Sequence, residues 1–411
     1  MGFGQGLSGL KAASQSLDII GNNIANSGTV GFKAASATFA DVYANSRVGL
    51  GVQVASVNQR FAVGNVSTTG NQFDIAINGE KGFFRVVDTS GNVLYTRNGQ
   101  FFADAENYIV NAQGHRLTGF PQGGTTPQPI TVPVGNIPPQ ATSGIQVKMN
   151  FDANAEAIPA TVAFDPEDAS SFTHSLPIDV YDSLGNAHQL TQYFVKRDAA
   201  GGASQWDVYY ALNGERMVDG DGALVPPTTV TFDDAGRLTA VGGAAGSFTA
   251  ALQFANPGGT NSPAEPLQIT VNYADSTQFG GPFATSFVQN GHSTGEYASM
   301  SIADDGSIVA RYTNGESRPM GSLVLADFKN LQGLQPVGGN AWQETSASGQ
   351  PVLGVPGTNG LATLMGQAVE DSNVDMSQEL VNMIIAQRTY QANAQTIKTQ
   401  DQILQTLITM R

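Results

Sequence analysis

Near the C-terminus, apolar residues recur at alternating steps of four and three. The positions are Met376, Leu380, Met383, Gln387, Tyr390, Ala394, Ile397, Asp401, Leu404, Ile408 and Arg411, and eight of these eleven are apolar. The neighbouring register, from Ser377 through Val381, Ile384 and Arg388 to Thr409, has only two apolar members. That contrast predicts a helix with one coiled-coil-like seam, not a helix buried all round. Asp375 is placed to cap its first turn, with Gln378 as the reciprocal member of a capping box. Neither Gly nor Pro follows to stop it, and at 1.5 Å per residue it would run about 50 Å. The N-terminus offers a shorter stripe, Leu7, Leu10, Leu17 and Ile24, flanked by Ala13 and Ile20. This second helix is expected to dissolve in residues 21–28, where Asn and Gly supply left-handed caps. Four large side chains, each contributing about 1.5–3 kcal/mol when fully buried, cannot cover the longer seam. The two ends are expected to pair, to leave apolar surface over, and to fray in a single chain. The alternative is that both ends pack on the chain's own β-core.

Between the ends the pattern changes. Residues 29–71 scatter apolar residues among Gly, Ser, Thr and Asn, which predicts an extended arm. From about residue 72 apolar stretches alternate and are punctuated by Asn-Gly at Asn78, Asn98, Asn213, Asn290, Asn314 and Asn359, with Asp305-Gly306 and Ser90-Gly91 beside them. Asn-Gly between alternating stretches is a strong hairpin signal, so the middle reads as mainly antiparallel β. Pro127, Pro129, Pro133, Pro138 and Pro139 crowd a stretch that no central strand would tolerate. The expected fold class is multidomain α+β with nested layers. Residues 1–28 and 375–411 form a helical, coiled-coil-like domain, and 29–71 with 363–374 form the connecting arm. Residues 72–144 and 286–362 form a first β domain, and 145–285 an inserted outer β domain.

Charge separates the same layers. The chain carries a net −15, yet residues 1–71 hold +2 and residues 372–411 hold zero, which leaves −17 for residues 72–371. Near-neutral ends can pack against many copies of themselves while an acidic middle stays solvated. The acidic balance opposes nucleic acid as a partner. No stretch reaches about 18 consecutive apolar residues, so no membrane insertion is expected. The start matches neither a cleaved signal peptide nor a myristoylation pattern. There is no Cys, which excludes disulfides and thiolate metal sites.

Catalytic chemistry finds little support. His115, His174, His188 and His292 lie far apart without ligand spacing, and surface or turn roles are expected for them. Asp219-Gly220-Asp221-Gly222 resembles the start of a calcium loop, but Val230 stands where an EF-hand needs Glu. The carboxylate pairs Asp233-Asp234, Asp304-Asp305 and Glu370-Asp371 are the natural suspects for a glycosidase, but the first two sit in turn sequences. No GxSxG elbow or P-loop occurs. No active site, metal site or cofactor is expected.

A resemblance sharpens this picture. The segment Asn22-Asn23-Ile24-Ala25-Asn26-Ser27-Gly28-Thr29-Val30-Gly31-Phe32-Lys33 resembles the N-terminal signature of bacterial flagellar axial proteins, a family of rod, hook and hook-associated proteins. Asn22, Asn23, Asn26, Gly31 and Phe32 carry the match. Glu379-Leu380-Val381-Asn382-Met383-Ile384 and Gln387-Arg388-Thr389-Tyr390-Gln391-Ala392-Asn393-Ala394-Gln395, with the ending from Ile397 to Leu407, are similar to its C-terminal signature. Phe73-Asp74-Ile75-Ala76-Ile77-Asn78-Gly79 and Tyr95-Thr96-Arg97-Asn98-Gly99 resemble its core β-domain. One departure is Asn107-Tyr108, where the family has Gly before the aromatic residue; Asn tolerates the same left-handed turn.

The resemblance implies a self-assembling structural subunit of a helical tube, outside the cell and exported through the flagellar type III apparatus without a cleaved signal. The size of the middle, with Gln289-Asn290-Gly291 and Tyr312-Thr313-Asn314-Gly315, is closer to hook members than to rod members. It implies as partners further copies of the chain, a hook cap, the distal rod and hook–filament junction proteins. The expected assembly seam is Leu7, Leu10, Leu17, Ile24, Leu380, Met383, Ile384, Tyr390, Ala394, Ile397, Leu404 and Ile408. The alternatives are a distal rod subunit or, from a different class, a secreted β-rich adhesin or glycosidase.

Overall fold

The computed structural model describes residues 3–42, 49–200, 203–218, 223–259 and 262–409. The chain divides into two compact units. One comprises residues 1–134, 298–311 and 317–411, the other residues 135–297 and 312–316.

The first unit holds both helices, α1 (Phe3–Ala25) and α2 (Met376–Thr409). The Asp375 carboxylate accepts the Gln378 N–H at 3.1 Å, satisfying one of the orphan donors of the first turn of α2. The reciprocal half of the expected capping box does not form, because the Gln378 amide donates one turn onward to Asn382 Oδ1 at 3.1 Å. At the end of α1 the Asn26 N–H still reaches the Asn22 carbonyl at 3.1 Å. No residue of 21–28 adopts the left-handed conformation expected there; the first to do so is Gly31, at φ 69°. Both helices are continuous, α1 over 23 residues and α2 over 34.

The arm is not simply extended. Strands β1 (Ala35–Val42) and β2 (Gly51–Gln59) pair antiparallel from Ala35 opposite Gln59 to Val42 opposite Gly51, with a bulge at Thr38 and Phe39. The sequence hides this hairpin because its strands alternate small and polar residues, and Phe39 and Val57 face solvent. Further along, Val66–Thr68 pairs with Ala368–Glu370, so outgoing and returning chain are stitched together.

The β-core of this unit is built on Phe83–Val87, which pairs with Val93–Thr96, Arg116–Pro121 and Leu325–Asp327. Phe83, Tyr95, Phe328 and Trp342 bury their rings together, with Phe61 against them. Edge-to-face pairs of this kind add about 0.5–1.5 kcal/mol each beyond area burial. Ser90-Gly91 closes the turn between Phe83–Val87 and Val93–Thr96, whereas Asn78-Gly79 and Asn98-Gly99 close no hairpin. Gly99 is needed for a different reason, since a Cβ there would run into the Ile75 carbonyl. Asn107 takes φ 66°, the left-handed turn its position requires.

The second unit packs two sheets around one apolar core. Gly144–Asp152 alternates buried and exposed residues, sending Ile145, Val147, Met149 and Phe151 inward against Phe194, Trp206 and Phe232 of the facing sheet. Period-two alternation of this kind is what a sheet with one wet face requires. Asn213 (φ 53°) and Gly214 (φ 87°) form the two-residue turn that folds Glu215–Arg216 back on Ala203–Leu212. The unit is not wholly antiparallel, for Gly144–Asp152 runs parallel to Leu267–Asn272 and to Thr277–Phe279. Two of the four histidines, for which surface or turn roles were expected, are buried. His188 sits 3.1 Å from Asp182, and His292 lies against the Ser293 carbonyl at 3.0 Å.

Candidate assembly surface

Helices α1 and α2 lie side by side and antiparallel, with Gly6 against Ile397 and Gly9 against Asn393. Small residues make this approach close. A Cβ on Gly9 would stand 2.6 Å from Asn393 Oδ1, and one on Gly6 3.1 Å from Ile397 Cγ1. The face that α1 buries is Gly6, Ala12, Ala13, Ile20 and Asn23, with Gly9 beside them. The expected leucine stripe is not among these fully buried residues. Leu7 is exposed, and Leu10, Leu17 and Ile24 are half-buried.

On α2 the outcome is similar. Leu380, Ile384, Tyr390, Leu404 and Ile408 are exposed, and only Met383, Ala394 and Ile397 are half-buried. Ile397 is seated directly against Gly6 of α1. Past it, α2 outruns its neighbour, and Leu404 and Ile408 on that same face are 51% and 75% exposed. The pair thus presents a long apolar surface that the chain itself leaves uncovered. Arg411 and Arg47 lie outside the described residues, as does Asp219-Gly220-Asp221-Gly222.

The motif residues hold the base of this surface. Asn23 is buried and clamps Ala35 with both ends of its side chain, donating to its carbonyl at 2.8 Å and accepting its N–H at 2.9 Å. Asn26 donates to the Asn22 side chain at 2.9 Å and accepts from the Thr29 hydroxyl at 3.1 Å. The Gly31 N–H donates to the Glu370 carbonyl at 2.7 Å, and a Cβ there would collide with the backbone at Arg97. The Phe32 N–H closes a turn onto the Thr29 carbonyl at 3.2 Å.

The structure gives residues already named in the sequence a role that sequence reasoning did not foresee. Glu370 is fully buried between two cations, Lys33 at 2.5 Å and Arg97 at 3.1 Å, and also accepts the Gly64 N–H at 2.8 Å. Arg97 donates to the Gly79 carbonyl at 3.0 Å and sits over the Phe83 ring. Burial pulls Lys33 and Arg97 below their ordinary pKa values, and the charge and hydrogen bonds of Glu370 oppose that pull. Nearby, Asn373 accepts the Ala34 N–H at 2.8 Å and donates to the carbonyls of Arg60 and Ala62. The available signal was Lys33 at the end of the N-terminal motif and Glu370 in the carboxylate pair just before the C-terminal segment. Among the described residues no group of His, Cys, Asp and Glu could hold a metal ion, and no helix is long and apolar enough to cross a membrane.

Comparison with known proteins accounts for the whole length. Residues 5–33 match the family model "Flagella basal body rod protein", and 76–152 match "Flagellar hook protein FlgE/F/G D1 domain". Residues 150–292 match "Flagellar basal body protein FlaE D2 domain", and 365–410 match "Flagellar basal body rod FlgEFG protein C-terminal". The flagellar hook protein FlgE of Escherichia coli K12 is 42% identical over 420 residues, covering 100% of both chains. The chain belongs to the flagellar hook protein family. Hook proteins of Salmonella typhimurium LT2 (41% identity, all of both chains) and Borreliella burgdorferi B31 (31%, 99% of this chain and 98% of the other) are similar over the same span. A crystal structure of Helicobacter pylori flagellar hook protein FlgE2 shares the fold, with a TM-score of 0.53 over 74% of this chain and 100% of that chain at 14% identity. As a member of a structural, non-enzymatic family, the chain is a subunit of the polymeric flagellar hook, and the rod and glycosidase alternatives fall away.

Proposed function

We propose that copies of this chain build a flexible tube that transmits motor torque from rod to filament, with the terminal helices inward and the acidic β units outward. The observation that carries this reading is the uncovered apolar surface on α2, above all Leu380, Ile384, Tyr390, Leu404 and Ile408, on a helix pair already locked together through glycines. Each of those side chains stabilises by about 1.5–3 kcal/mol when fully buried, and only a neighbouring copy supplies the cover. Coiled-coil-like contacts between copies resist twist, while acidic, glycine-rich outer surfaces slide past one another as the tube bends. The near-neutral charge of the two ends, against an acidic middle, supports an axial position for the termini.

The family also suggests a hook cap, the distal rod and hook–filament junction proteins as neighbours, and the flagellar type III apparatus as the export route. Electron microscopy of the purified chain tests the core of the proposal. Curved hollow tubes are expected, and a protein that stays a solitary particle at all concentrations would overturn it.

A further inference from the structure

Between α1, α2 and the β1–β2 hairpin lies a groove of about 640 Å³. Its lining is mostly small or apolar, including Ala13, Ile20, Phe39, Ile385 and Ala386. One charged residue lines it, Glu379 of α2. That side chain is only 6% exposed, yet its carboxylate meets no cation and no hydrogen-bond donor among the described residues. A lone carboxylate opening onto an otherwise apolar groove is a complementary partner for a docking cation.

We propose that this groove receives the face of α2 carrying Val381, Ile384 and Arg388 from a second copy, with Arg388 pairing to Glu379. The inference rests on the self-assembly reading above and names its contact. Val381 and Ile384 are each 51% exposed and fall at i and i+3, with Arg388 at i+7 on the same helix face. Arg388 is exposed in the subunit and makes no ion pair among the described residues. An apolar face with one cation thus matches an apolar groove with one anion. The guanidinium can bind the carboxylate through two parallel N–H bonds, which a lysine cannot.

Donor face and receiving groove lie on roughly opposite sides of α2, so the contact is head-to-tail. A heterologous contact leaves one face free on each added copy, and it propagates into an open helical array instead of closing as a dimer.

The test is a charge swap read as the critical concentration for polymerisation, with circular dichroism to follow helix content. Arg388→Glu changes only an exposed residue of the subunit and is expected to raise the critical concentration at least about tenfold. Glu379→Gln, which keeps the shape and removes the charge, is expected to shift it in the same direction. The double variant Glu379→Arg with Arg388→Glu is expected to return to within about threefold of wild type. Polymerisation of Arg388→Glu at the wild-type concentration would overturn the pairing, as would a double variant no better than the worse single variant. Both outcomes leave the self-assembly reading standing. Failure of the wild type itself to polymerise defeats that reading and this contact with it.

Discussion

Lys33 and Glu370 are 337 positions apart in the chain, yet their side chains meet at 2.5 Å with neither exposed to solvent. Arg97 closes the triad from the β-core. The motif after α1, the β-core and the segment before α2 are thereby tied at one point.

Removing the shared anion exposes the strength of that tie. Glu370→Gln would leave two buried cations facing a neutral amide. Breaking a buried pair from one side costs about 3–5 kcal/mol. Urea unfolding of the full chain should show a loss of this order in the first unit. Lys33→Met, which leaves Glu370 paired to Arg97, should cost less. Equal losses from both would show that the triad does not act as a unit around Glu370.

Much of this architecture was legible beforehand, and what was not has identifiable causes. The helix α2 was readable because Asp375 caps it and nothing interrupts it. Its pairing with α1 was expected too, but not the glycines in the contact, because a hydrophobic pattern scores only large side chains. The same blindness hid the β1–β2 hairpin. Lys33 and Glu370 were visible as charges, but a buried ion pair across the whole chain has no local signature. Asn-Gly marked a true two-residue hairpin at Asn213, where both residues need positive φ. At Asn290 it marked something else, a side chain accepting the N–H groups of Ser143 and Gly144 at 3.0 Å.

The glycine contact predicts a contrast between neighbours on α1. Nothing stands within 4 Å of a Cβ on Gly4, so Gly4→Ala should stabilise the helix by about 0.4–1 kcal/mol through lost backbone freedom. Gly9→Val should do the reverse, because its branched side chain meets Asn393 and separates α1 from α2. Thermal unfolding followed by helix dichroism checks the pair. A stabilising Gly9→Val would mean the close approach contributes nothing.

Acid sensitivity of the second unit should trace to Asp182. Burial alone would raise its pKa, but hydrogen bonds from Asn186, His188 and the Leu184 backbone outweigh that and hold it below 3.8. A carboxylate depressed in the folded state binds fewer protons than in the unfolded chain. Its stabilisation is complete above the unfolded value and is lost as pH falls through the folded one. Asp182→Asn should therefore flatten the acid limb of stability below about pH 4. Fluorescence of buried Trp206, in a Trp342→Phe background, reports on this unit. An acid limb of unchanged steepness would assign the effect to other carboxylates.

The last prediction separates contacts within a subunit from contacts between subunits. Ile397 touches Gly6 of its own α1, whereas Leu404, two turns further along, is 51% exposed. Leu404→Asp should leave the melting of the isolated subunit unchanged and abolish tubes, since the charge would be buried unpaired only on assembly. Ile397→Asp should also abolish tubes, but with a loss of subunit stability of about 2–5 kcal/mol, the range for removing a packed aliphatic side chain. Sedimentation of polymer and dichroism of subunit, measured on both variants, give four values with one expected pattern. Tubes from Leu404→Asp at wild-type concentration would remove the distal part of α2 from the assembly surface.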